Sequence, residues 1–120
     1  VAHENRIHAA IGLAFAPGQL IVRVCRGVLL STIEQTAPGI VECELAEPLG
    51  DDAIVTCGVE PPPPPFYFAQ IMRQRLTATR WRFACFVAGP ADARFHPVAF
   101  DAAWFGSATG SGPVATIPVP

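Results

Sequence analysis

From Thr77 the odd positions run Thr77, Thr79, Trp81, Phe83, Cys85 and Val87, and Arg80 and Arg82 fall between them. Apolar side chains on one phase of a period of two, with guanidinium groups on the other, describe a strand with one buried face. The run AGPADA at 88–93 breaks the pattern. Gly89 and Pro90 punctuate the chain there, Asp92 can hydrogen-bond its own backbone, and an aromatic, branched run resumes from Phe95 to Phe100. Residues 77–105 therefore read as two apolar strands joined by a turn, the centre of a β core.

The rest of the chain is read against that core. Residues 7–15 contain Gly12 and stop at Pro17 and Gly18, which favours a strand ending in a turn. In 19–26, Leu20, Val22 and Val24 share one side and Arg23 the other; Gly27 ends or bulges this strand, and 28–33 continues extended. After a turn at 36–39 (TAPG), Val41, Cys43 and Leu45 alternate with Glu42 and Glu44. PLGDD turns the chain, and Ala53, Val55, Cys57 and Val59 return, so 41–59 reads as a hairpin. A symmetric turn would make Cys43 and Cys57 cross-strand neighbours, where a disulfide is geometrically demanding but open.

Five prolines, 61–65, follow. They form a stiff polyproline segment rising about 3 Å per residue and cannot pair in a central strand. Such a segment is either a ligand for a proline-binding module or a rigid connector across one edge or end of a sandwich; with no other signalling feature in the chain, the connector is preferred. Phe66, Phe68 and Met72 are expected to face inward. Short strands, about eight of them, with frequent turn signals and no helical period give an all-β antiparallel sandwich, jelly-roll-like, over residues 1–106. Residues 1–5 form a polar arm, and 107–120, uncharged and rich in small residues, an extended C-terminal tail.

A chain of 120 residues fits one core, burying roughly two-thirds of its unfolded surface. Its 51% apolar and 15% charged residues, with a mean hydropathy of +0.37, exceed what so small an interior uses. The longest charge-free segments contain glycine and proline and lack the uniform apolar character of a spanning helix, so the surplus is expected to face protein, copies of this chain first, and no membrane. A net charge of −2 gives no electrostatic reason for nucleic-acid binding. Every basic residue is arginine, suited to bidentate contacts across interfaces. The first ten residues, VAHENRIHAA, contain no secretory pattern.

Candidate chemistry is sparse. Cys25, Cys43, Cys57 and Cys85 are far apart in apolar runs and read as buried thiols. His3, His8 and His96 stand in different contexts. Cys85 and His96 could pair as thiol and base across the central turn, although a structural thiol is the preferred reading. Glu47, Asp51 and Asp52 could offer oxygens to calcium but lack the alternating carboxylates of a known loop. Tyr67, Trp81 and Trp104 could stack on sugars; Trp81 fits the core, whereas Trp104, at the end of the last strand, is the better exposed aromatic and is expected against another subunit. Arg73, Arg75, Arg80 and Arg82 form the one basic region, either a docking patch for an acidic surface, led by Arg80 and Arg82, or a solvated strand face. Asp92 marks a binding loop at 90–92. Val114, Ile117 and Val119 would let the tail add to a neighbouring subunit. No catalytic, cofactor-binding or metal-binding residue is assigned.

GIVECELAEPLGDDAIVTCGVE (39–60) and LTATRWRFACFVAGPADARFHPVAF (76–100) together resemble small β-sandwich proteins of tailed bacteriophage virions, such as head-fibre and tail-fibre modules. In these a glycine-led hairpin precedes a strand of threonine, arginine and aromatics, a Gly/Asp turn, and a Phe-containing strand ending here at Gly106. The resemblance implies a jelly roll like the complement and tumour-necrosis-factor fold, assembled as a trimer. It further implies a non-enzymatic virion structural protein of the capsid-decoration or head-fibre type, made in the host cytoplasm and docked on a capsid or other virion protein through a terminal arm. The alternatives are a receptor- or glycan-binding fibre module and, last, a small enzyme using Cys85.

Overall fold

The computed structural model describes residues 7–50 and 53–106, with Pro118 beyond them. These residues form nine strands: β1 (Ile7–Ala16), β2 (Gln19–Arg26), β3 (Glu34–Ala37), β4 (Ile40–Glu44), β5 (Ile54–Val59), β6 (Phe68–Arg75), β7 (Arg80–Ala88), β8 (Ala93–Phe95) and β9 (Phe100–Phe105). All pairings are antiparallel. The first sheet has the order β2-β1-β9-β5, and the second β3-β4-β7-β6 with β8 also on β7. The chain crosses between sheets after β2, β4, β5 and β8, and the last crossing returns β9 to a place between β1 and β5. This is the all-β antiparallel sandwich that the period-two pattern predicts. No helix among the described residues is long and apolar enough to cross a membrane.

β7 organises the second sheet as its alternation requires. Trp81, Phe83, Cys85 and Val87 are buried, and the intervening residues face outward. Across the sandwich Trp81 and Phe83 meet Ile11 and Leu13 of β1 and Phe100, Ala102 and Trp104 of β9 in one apolar cluster, while Cys85 and Val87 pack with Phe66 and Val98 in a second. Phe83 stacks on Phe100 at 5.5 Å and stands edge-on to Trp104 at 5.6 Å. Burying an aromatic of this size contributes about 2–3 kcal/mol, and the offset ring geometry adds about 1 kcal/mol.

The expected 41–59 hairpin is corrected. β4 pairs with β3 and β7, whereas β5 pairs with β9 in the opposite sheet. Each strand carries one apolar phase, and facing each other across the core buries both phases; side by side, each would still need a cover. Cys43 and Cys57 are therefore not cross-strand neighbours, and both are free thiols. The run after the 88–93 turn likewise divides. β8 pairs with β7, then the chain leaves the ladder near Pro97, which has no N–H to donate, buries Val98 and enters the first sheet as β9.

Smaller departures have local causes. A bulge leaves Arg23 between the pairs Gly12 with Val24 and Leu13 with Val22, so Val24 turns outward and Cys25 inward. Residues 30–32 form a 3-10 turn rather than extended chain. In β6 the pairs Phe68 with Ala88 and Met72 with Ala84 place both large side chains on the outward phase, while Ala69 and Ile71 face the core. Phe66 is buried as expected. The prolines connect β5 to β6, one sheet to the other, with a cis bond between Pro64 and Pro65 and a turn closed by Phe66 N–H donating to Pro63 O at 3.0 Å.

The sandwich has two distinct ends. Ile7 and Ile54 both pair with Phe105, so the start of β1 and the end of β9 leave side by side. At the opposite end Tyr67 N–H donates to Ala88 O at 3.0 Å and Gly89 lies against Pro65, which brings the proline turn beside the 89–92 loop.

Candidate interaction surface on the second sheet

The outward face of the second sheet is built in rows by its registers. Glu42 lies opposite Arg82, and Glu44 opposite Arg80. Arg80 donates from Nε to Glu42 Oε1 at 3.0 Å and from Nη2 to Glu34 Oε1 at 3.1 Å; Arg82 donates from Nε to Glu42 Oε2 at 3.1 Å. Arg80 also lies 3.7 Å from Glu44. The Glu42 side chain is 12% exposed. Burial would raise its pKa, but the hydrogen bonds and charges of Arg82 and Arg80 outweigh burial and hold the carboxyl below the usual glutamate value. Arg80 and Arg82 are thus members of an internal ion-pair network, not a free basic patch for an acidic partner. Arg73 and Arg75 lie on the other phase of β6, opposite Phe83 and Trp81.

Beyond this charged half the face turns apolar. Ile40 pairs with Ala84, Met72 lies on the other side of Ala84, and Phe86 pairs with Phe95. The Phe86 and Phe95 rings meet edge-on at 5.6 Å. Phe68 is 46% exposed, Met72 41% and Phe95 43%. Ile40, Met72, Ala84 and Phe95, with Arg73, Gln74 and Arg82 along the charged side, line a shallow trough of about 440 Å³. Sequence reasoning passed over this surface, although its signal was in β7 itself: after Arg82 the even positions are Ala84, Phe86 and Ala88, so the strand's second half is apolar on both phases.

The remaining candidates are dispersed. Asp92 is exposed at the opposite end of the sandwich, with Oδ2 3.3 Å from Arg94 Nε. Trp104 is fully buried, 6.0 Å from Trp81 and edge-on to it. This corrects the expectation of an exposed subunit contact: its phase of β9 is that of Phe100 and Ala102, which face the core. Val114, Ile117 and Val119 lie outside the described residues, as do Asp51 and Asp52; Glu47 is exposed in its loop. No three His, Cys, Asp or Glu side chains gather as a metal site among the described residues.

Cys85 and His96 are joined by their backbones, His96 N–H donating to Cys85 O at 3.0 Å. The imidazole, however, stacks 5.6 Å from the Phe66 ring, and burial pushes the Cys85 thiol upward. Burial likewise pushes Cys43 to about 12, against a smaller opposing effect of Arg80, and raises Cys57. Thiols in this condition are poor nucleophiles. Arg75, grouped in the sequence with the surface arginines, is a tie: it donates to Leu49, Gly50, Thr77 and Ala78 carbonyls and lies over the Trp81 ring at 5.7 Å.

Compared with family models, curated proteins and solved structures, the chain matches none.

Proposed function

We propose that this chain is a non-enzymatic structural protein that works by assembling with copies of itself, on a phage particle as the resemblance to virion β-sandwich proteins implies. The observation that carries the reading is the outward face of the second sheet, where Phe68, Met72 and Phe95 stand exposed in successive rows on a folded sandwich, with Gln70 between the first two. A monomer does not gain from such a patch; an assembling protein covers it. Two further observations agree. The start of β1 and the end of β9 leave at one end, which suits docking through a terminal arm, and burial holds Cys43, Cys57 and Cys85 protonated, which disfavours a cysteine enzyme. The resemblance implies three copies. Sedimentation velocity over a hundredfold concentration range is expected to give an assembled species, and co-sedimentation with phage heads a bound fraction. A monomer throughout, with no affinity for heads, would overturn the reading.

A second reading, a receptor- or glycan-binding module, is favoured by one observation: Tyr67 is 72% exposed and hydrogen-bonded beside the 88–92 segment. Tyr67→Ala should then abolish glycan-array signal with melting temperature unchanged. An array without hits removes this reading.

A further inference from the structure

We infer that the outward face of the second sheet is where a second copy of this chain seats, by a two-fold axis running along the strands between β7 and the β4–β8 side. This rests on the self-assembly reading but not on the three copies that the resemblance implies, in whose place it puts a two-fold pair with named contact residues.

The rows of the face decide the occupant. Each crosses from β7 to β4 or β8 in register: Arg82 with Glu42, Ala84 with Ile40, Phe86 with Phe95. A two-fold axis along the strands maps each row onto itself with its ends exchanged. Arg82 then faces the copy's Glu42, and Phe86 the copy's Phe95. Every row is its own complement, which is what an isologous contact requires.

Charge points the same way. Arg80 and Arg82 pair with Glu34, Glu42 and Glu44, and Arg94 with Asp92, while Arg73 stands beside the trough as a fourth cation against these four carboxylates. A rim of mixed and balanced sign attracts neither a polyanion nor a strongly basic surface, and a copy bearing the same rim is not repelled. Size fits a reversible contact. The strand positions of this face hold eight residues in β6, nine in β7, five and three in β4 and β8, and four in β3, which at about 3.3 Å per residue and about 4.8 Å between strands gives a flat area of roughly 460 Å², nearer a transient than a permanent interface. Two such sheets packed at about 10 Å need side chains of the size of Met72, Phe86 and Phe95 between them, and the trough beside Phe95 receives those of the copy.

Met72→Lys and Phe95→Lys, each measured by sedimentation equilibrium beside wild type, test this. Both side chains reach solvent, at 41% and 43% exposure, so the folded state should persist, checked by melting temperature; Ile21→Lys, exposed on the first sheet, is the control. Association is expected to weaken at least tenfold in the first two variants and to stay unchanged in the control, with the wild-type mass that of two copies or a multiple of two. A wild type that remains monomeric overturns this inference together with the self-assembly reading. A wild type that associates, with both variants associating equally well, overturns this inference alone, as does a stable three-copy mass.

Discussion

At the residue scale, Trp104 and Glu42 are the side chains whose environments most changed their meaning. Trp104 sits at the end of an apolar strand and looks free in the sequence, yet its ring fills the space between Trp81 and Phe83. Trp104→Ala should cost about 3–5 kcal/mol, a large part of a small domain's total stability, and thermal denaturation should find the variant mostly unfolded at 37 °C. Glu42 receives two guanidinium groups, and its folded pKa lies below the usual 4.5. The stabilisation from its carboxylate is therefore complete above 4.5 and is lost as pH falls through the lowered folded value. Urea titrations of wild type and Glu42→Gln should differ by a constant amount near neutral pH, and the difference should shrink steadily below pH 4.5. The thiols divide by burial: Cys43 and Cys85 are buried, Cys25 and Cys57 partly exposed. A thiol reagent on the native protein, read by mass spectrometry of peptides, should modify Cys25 first, Cys57 more slowly because its thiol is partly reachable but held protonated, and leave Cys43 and Cys85 untouched until unfolding.

At the scale of elements, strand content was legible and strand pairing much less so. The alternation of β7 located both its buried and its outward residues, because a period of two is a local property of the chain. Which strand lies beside which is not local. The 41–45 and 53–59 segments bear the same apolar phase whether they pair side by side or face each other across the core, and nothing between them in the sequence decides it. The inward assignment of Phe68 and Met72 failed for a related reason: the phase of β6 is set by its register on β7, with Ala88 and Ala84 opposite, and not by the size of its own side chains. Glycine was more informative. Gly39 adopts φ +80, and a Cβ there would lie 2.5 Å from the His96 nitrogen, while its carbonyl accepts the Cys85 N–H at 2.8 Å. The turn between β3 and β4 is thus pressed against the segment after β8. Gly39→Ala should destabilise by more than about 1 kcal/mol, combining an unfavourable φ with a steric clash, as a lowered denaturation midpoint will register.

For the whole molecule, the neighbouring positions of Ile7 and Phe105 have a mechanical consequence. Antiparallel strands whose free ends lie together are loaded at that end, so a force drawing residue 7 away from residue 106 meets the hydrogen bonds between β1 and β9 one after another rather than all at once. The sandwich should peel open at low force when stretched between its ends, which single-molecule pulling can measure against a tether placed through Gly18 and Gly106, where the same strands must slide past each other. A protein held to a support by both of these ends never experiences the weak direction: traction on its far turns enters along the strands and is shared by the entire ladder.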